Sequence, residues 1–78
     1  MRLEEARRRR GLSQTRLAAK ADVSPRTIYN IERGLTRPQG RIAVAIAEAL
    51  GMPAEDVDEL RPAFEPPVRT EPREERDG

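Results

Sequence analysis

Residues 24–34 read SPRTIYNIERG and predict one short helix with its own start and stop signals. Ser24 suits the N-cap position, because its hydroxyl can accept a hydrogen bond from a backbone N–H of the first turn. Pro25 follows at the first helical position, where a missing N–H costs nothing. Gly34 suits the left-handed conformation that commonly follows the end of a helix.

This predicted helix has an apolar and a polar face. Ile28 and Ile31 are three residues apart and should face the core. The opposite face carries hydrogen-bonding and positively charged groups, namely Arg26, Thr27, Asn30 and Arg33, with Tyr29 beside them. Such a face suits the DNA major groove, where base edges present acceptors, donors and methyl groups between flanking phosphates. An ordinary solvated helix face is the alternative interpretation.

The composition argues against several classes of protein. The 78 residues include no cysteine and no histidine, which leaves no zinc cluster, Cys–His nucleophile pair or Ser–His–Asp triad. No carboxylate lies in an apolar stretch of the kind that suits acid–base catalysis. We therefore expect no enzyme, no metal and no cofactor. No apolar run approaches the roughly 20 residues that span a membrane, and no signal-peptide pattern is present, so a cytoplasmic protein is expected.

The chain should consist of one small domain and a tail. Five of the seven prolines lie from Pro53 onward, and the residues after about 61 are rich in Pro, Glu and Arg. A segment with so few large apolar residues cannot bury enough surface to order itself. We expect a folded domain at residues 1–61 and a disordered tail at residues 62–78.

Charge is distributed unevenly along the chain. Residues 1–41 contain eleven Arg and Lys against four Asp and Glu, a net charge of +7. Residues 42–78 contain four against ten, a net charge of −6. A basic half beside an acidic half is suited to placing one face on a polyanion. Chance clustering of charges on solvated surfaces is the alternative.

A first helix is predicted at residues 3–10. Leu3, Ala6 and Arg7 fall on one side of it, and Gly11 follows as a stop signal. Because Arg7 lies on the apolar side, it should be partly buried and need an acidic partner.

A second helix begins after Ser13, which suits its N-cap. Its buried stripe consists of Leu17, Ala18 and Ala21. Small side chains of this kind allow another helix to approach closely, as a tight two-helix corner requires. Asp22 begins the turn and should need a positive φ, which costs roughly 1 kcal/mol because Asp tolerates this conformation less well than Gly.

Two more helices are predicted after residue 34. Helix four should end at Leu50, with Gly51 as its C-cap. Its inward side consists of Ala43, Ile46, Ala47 and Leu50. Helix five should start at Met52-Pro53, with Val57 and Leu60 on its apolar side.

Several motifs together resemble the phage-repressor helix-turn-helix family, also called Cro-type or XRE. They are Gly11-Leu12-Ser13-Gln14, Leu17-Ala18, Val23-Ser24, the run from Ile28 to Gly34, Pro38, and the run from Ile46 to Met52. The resemblance covers residues 1–60 and implies an all-α, compact five-helix domain of the lambda-repressor type. In such a domain the third helix enters the major groove while the second crosses the DNA backbone. Asp22 departs from the family, which usually has Gly at this position.

The resemblance also implies roles by position. The base-contacting positions are Arg26, Thr27 and Asn30. The expected DNA-backbone contacts are Gln14, Tyr29, Thr36, Arg37 and Arg41. A buried structural ion pair is expected between Arg7 and Glu32. The candidates for a dimer contact are Met52, Pro53, Ala54 and Val57.

Three of these roles have alternatives. Tyr29 can reach a phosphate or only pack along its helix. The basic segment at residues 35–41 can be merely solvated, and the dimer candidates can simply close the core.

The leading interpretation is a sequence-specific DNA-binding transcription regulator. It would act as a repressor and as a homodimer, with double-stranded DNA as its partner and a near-palindromic operator read through the major groove. One alternative is the antitoxin of a toxin–antitoxin pair that also regulates its own synthesis and binds a protein partner through its tail. Another is a protein-interaction module that keeps the fold but has no specific operator.

Overall fold

The computed structural model describes residues 1–64, which are all-α as predicted. Their four α-helices are α1 (Leu3–Arg9), α2 (Gln14–Ala21), α3 (Pro25–Glu32) and α4 (Gly40–Leu50), and two 3-10 segments follow at Ala54–Asp56 and Arg61–Phe64. Within residues 1–64, no helix combines the length and the apolar character needed to cross a bilayer. The tail predicted at residues 62–78 lies outside the described residues from residue 65 onward.

The helices surround one core in which small residues are frequent. Its buried apolar side chains within residues 1–63 are Leu3, Ala6, Leu17, Ala18, Ala21, Ile28, Ile31, Ala43, Ile46, Ala47, Leu50, Val57 and Leu60. Helix α2 packs against both α3 and α4. Ala18 and Ala21 are buried on α2, and their small side chains allow its neighbours to approach closely. This packing determines how α2 and α3 are presented together on the surface.

The ends of α2 and α3 follow the predicted capping chemistry. Ser13 Oγ accepts a hydrogen bond from the Arg16 N–H at 3.0 Å, and Ser24 Oγ accepts one from the Thr27 N–H at 3.1 Å. Each bond gives a side-chain acceptor to a first-turn N–H that has no carbonyl four residues back within its helix. Asp22 has a φ of 59° and lies in the left-handed region, which confirms the conformation expected for this turn.

The predicted fifth α-helix is wrong. Residues 54–64 instead form two 3-10 segments separated by a turn. Val57 has an extended backbone between them, with φ −112° and ψ 119°. Most local hydrogen bonds here span three residues, as from the Val57 N–H to the Ala54 carbonyl and from the Leu60 N–H to the Val57 carbonyl, each 3.0 Å. One, from the Arg61 N–H to the Val57 carbonyl at 3.0 Å, spans four.

Contacts with the beginning of the chain account for this broken geometry. Glu59 Oε1 accepts a hydrogen bond from the Leu3 N–H at 2.7 Å, at the start of α1, where the N-cap residue supplies no side-chain bond. The Asp58 N–H donates to the Met1 carbonyl at 2.7 Å. The extended Val57 turns the chain toward these partners while its own side chain stays fully buried. The prediction of a continuous helix used only the spacing of nearby apolar residues, and that spacing carries no information about contacts with the beginning of the chain.

Replacing Asp22 by Gly should raise the free energy of unfolding by about 0.5–1 kcal/mol, because a left-handed backbone is strained by a Cβ atom. The matched control is Gly51→Ala at a φ of 71°, where an added Cβ meets no atom within 4 Å. That control should lose about 1 kcal/mol through backbone strain alone. Urea unfolding followed by circular dichroism measures both changes. A loss of stability in Asp22→Gly would show that the Asp22 side chain makes a compensating contribution to the turn.

Candidate nucleic-acid interface

Helix α3 presents the three residues predicted to contact bases. Arg26 is exposed, whereas Thr27 and Asn30 are half-buried. Arg26 and Asn30 are four residues apart and are therefore neighbours on the helix surface. Ile28 and Ile31 are fully buried and attach the opposite side of α3 to the core. The polar face is therefore carried by an element whose position is determined by packing.

Ser24 contacts Thr27 through two groups. Besides accepting the Thr27 N–H, Ser24 Oγ lies 2.9 Å from Thr27 Oγ1, so the two hydroxyls share a hydrogen bond. This bond restricts the side-chain rotation of Thr27. The N-cap was predicted from the sequence, whereas the hydroxyl pair was not.

A shallow groove lies between the N-terminal ends of α2 and α3. Its walls are formed by Gln14 from α2 and by Pro25, Arg26 and Tyr29 from α3. Two predicted backbone contacts and one predicted base contact thus meet in one place. A nucleic-acid strand lying along this groove would meet a cation, an aromatic ring and an amide together.

Arg33 lies close to the ring of Tyr29. Its guanidinium carbon is 5.8 Å from the ring centroid, within the range of a cation–π interaction. The Tyr29 side chain is nevertheless 40% exposed. No individual role was predicted for Arg33, although its spacing of four residues from Tyr29 was a usable signal. The pair holds an aromatic ring and a cation together on the exposed side of α3.

The predicted backbone-contacting residues after α3 are all accessible. Thr36 and Arg37 are exposed in the segment between α3 and α4, and Arg41 is exposed in the first turn of α4. Across residues 1–64, Arg26, Arg37 and Arg41 form no ion pair with a carboxylate. Their positive charge is therefore not neutralised by a direct partner in this part of the chain.

Four consecutive arginines, at residues 7–10, form an arginine run at the end of α1 and differ in this respect. Arg8 pairs with Glu4 at 2.7 Å, and Arg9 pairs with Glu5 at 3.1 Å, each across one helical turn. These local pairs offset two of the cations in the run. The run is therefore a weaker candidate for binding a polyanion than Arg26, Arg37 and Arg41, which form no ion pair in the described part of the chain.

A buried ion pair joins α1 to α3. Arg7 Nε donates to Glu32 Oε2 at 2.7 Å and Arg7 Nη2 donates to Glu32 Oε1 at 3.2 Å, while Arg7 Nη1 donates to the Leu12 carbonyl at 2.9 Å. The hydrogen bond with Glu32 raises the pKa of Arg7 above its ordinary value, against the opposing effect of burial. Gln14 Nε2 also donates to Glu32 Oε1, at 3.0 Å. The pair thereby reaches the edge of the groove.

The residues proposed for a dimer contact do not share one environment. Met52 and Ala54 are half-buried and Pro53 is exposed, and all three border a shallow, mainly apolar groove beside the exposed Val44. Val57 is fully buried in the core and cannot offer its side chain to a second copy. Its assignment as a dimer contact is therefore corrected to a core residue.

Comparison with protein families finds that residues 3–57 match a family model described as Helix-turn-helix. The match spans α1 to α4 and the first 3-10 segment. Comparison with curated proteins finds no match.

Replacing Arg7 by Met should lower the free energy of unfolding by about 3–5 kcal/mol, because it leaves the Glu32 carboxylate buried without a cation. Arg8→Met is the matched control, since the Arg8–Glu4 pair has the same 2.7 Å distance but side chains that are 70% and 50% exposed. That control should lose less than about 1 kcal/mol. Urea unfolding measures both, and equal losses would contradict the role given to burial.

Proposed function

The chain belongs to the XRE-type, or Cro-type, helix-turn-helix family of DNA-binding transcription regulators, and from this premise we propose that it is a sequence-specific repressor. It binds a near-palindromic operator as a homodimer. Helix α3 enters the major groove, and α2 crosses the sugar-phosphate backbone.

The observation that carries this proposal is the polar face of α3. It combines an exposed cation at Arg26, which forms no ion pair within residues 1–64, with half-buried polar groups at Thr27 and Asn30. All three side chains stand on a helix whose other side is buried. Because packing fixes the position of the helix, the three side chains project from defined points on it, which supports discrimination between bases.

Each of the three side chains has a natural partner among the base edges. Arg26 can donate two hydrogen bonds to guanine, and Asn30 can donate to and accept from adenine. The Thr27 hydroxyl is already bonded to Ser24, which makes the Thr27 methyl group a suitable contact for a thymine methyl. Together they would select the sequence of a half-site.

The remaining contacts would determine register and affinity. Gln14 and Tyr29 border the groove beside α3, where a phosphate could lie against the N-terminus of α2. Thr36, Arg37 and Arg41 would bind the DNA backbone on the other side of α3. Contacts of this kind favour binding to any sequence and weaken as salt rises.

A homodimer would place two copies of α3 in successive major grooves. The surface bordered by Met52, Pro53 and Ala54 is the proposed contact, since it is apolar and includes the exposed Val44. A two-fold axis there would require half-sites about one helical turn apart.

Binding-site selection from fragmented genomic DNA tests the proposal. It should be run at about 150 mM salt, which suppresses non-specific phosphate binding. Enrichment of one motif with two related half-sites is expected. A library without enrichment would overturn sequence-specific repression and favour an interaction module. Co-purification of a small protein encoded beside this one would favour the antitoxin alternative.

Arg26→Ala should relax base preference at one position of each half-site and weaken binding to the selected site by about 1–3 kcal/mol. Arg41→Ala is the control, because losing a phosphate contact should weaken binding to all sequences alike and reduce the salt dependence. Repeating the selection with each variant distinguishes the two effects. An unchanged motif in Arg26→Ala would contradict the base contact.

A further inference from the structure

Glu32 is bound by donors from two different elements. Its side chain is 5% exposed, and its two oxygens accept hydrogen bonds from Arg7 of α1 and from Gln14, the first residue of α2. Oε1 is shared between Arg7 Nη2 and Gln14 Nε2. One buried carboxylate therefore connects the core ion pair to a side chain at the surface groove.

This bond determines which way the Gln14 amide faces. A carboxylate paired with arginine is an acceptor only, so the Gln14 nitrogen must face Glu32 and the Gln14 oxygen must face away. Within residues 1–64, no other hydrogen bond is made by this amide. Its oxygen and its second N–H therefore have no hydrogen-bond partner among the described residues and can bind DNA or solvent at the groove. An unanchored glutamine would present either end and would lose rotational freedom on binding.

We propose that Glu32 is a positioning residue for DNA binding, acting through Gln14. The inference rests on the proposed function, because it assumes that Gln14 meets the DNA backbone. Glu32 touches no DNA. It holds the amide of Gln14 in one orientation at the groove formed with Pro25, Arg26 and Tyr29.

The test needs a variant that loses the anchor but keeps the fold. Removing Glu32 alone would leave Arg7 buried and unpaired, whereas replacing a buried ion pair by apolar side chains of similar volume is often tolerated. The variant is therefore the double substitution Arg7→Met with Glu32→Leu. Its matched control is Arg8→Met with Glu4→Leu, which removes one cation and one anion from an exposed pair of the same distance.

Binding is measured by fluorescence anisotropy with a labelled duplex that carries the motif from binding-site selection. The core double variant should remain folded by circular dichroism and bind about tenfold more weakly, whereas the surface double variant should bind as the wild type does. Gln14→Met alone should also weaken binding about tenfold, and adding it to the core double variant should cause a further loss well below tenfold, because the unanchored amide already contributes less. Unchanged affinity in the folded core double variant, or a combined loss of about a hundredfold, would overturn the inference.

If the core double variant does not fold, a second measurement tests whether the Gln14 amide is anchored in the wild-type protein. The chain has two glutamines, Gln14 and Gln39, and Gln39 precedes α4 without a side-chain cap bond. In the wild-type protein labelled with nitrogen-15, the side-chain amide protons of Gln14 should exchange with water more slowly than those of Gln39. Equal exchange rates would overturn the inference.

Failure of the proposed function would give different results from failure of this inference. If the wild type enriches no motif and binds no duplex, the repressor proposal fails and the inference fails with it. If the wild type binds and only the variant comparison fails, the function stands and Glu32 has a structural role alone.

Discussion

The Arg7–Glu32 ion pair is the interaction on which the arrangement of the helices depends. It joins α1 to α3, and through Leu12 and Gln14 it also holds the link into α2 and the start of α2. A surface ion pair of the same length contributes little, because water and salt screen it. A buried pair is more important for stability, because displacing either partner would leave the other charge without solvent or a counter-ion. The orientation of α3 is thereby coupled to the position of α1.

Around this pair, the core combines small and large apolar side chains. Alanines on α1, α2 and α4 allow the helices to approach one another, and the larger Leu and Ile side chains fill the centre. Helices this short are marginal in isolation, so their stability must come from packing and from satisfied ends. Ser13 and Ser24 satisfy two of those ends close to the groove. The surface proposed to meet DNA is therefore built on supported helix starts rather than on loops, and its geometry can be specific.

Much of the fold was predictable because its signals are local. Ser13 and Ser24 as caps, Asp22 as a left-handed turn residue, and the buried sides of α1 to α4 all follow from side-chain chemistry and spacing within a few residues. The fifth helix was not predictable in this way. Val57 and Leu60 fit a helical repeat, but the conformation was decided by two hydrogen bonds with the first residues of the chain: the Asp58 N–H donates to the Met1 carbonyl, and the Glu59 carboxylate accepts from the Leu3 N–H. Contacts between residues more than fifty positions apart cannot be predicted from the spacing of apolar residues within a short segment.

The candidate site likewise has features that the sequence predicts and features that only the tertiary structure determines. By itself, the sequence determined that one helix carries Arg26, Thr27 and Asn30 on a polar face, because the period of a helix follows from backbone geometry alone. It also indicated that Arg7 needs an acidic partner. Only the tertiary structure decided that Glu32 binds Gln14, that the Thr27 hydroxyl is bonded to Ser24, and that Val57 is inside. These outcomes depend on distances between side chains that packing brings together, and such distances are properties of the folded chain.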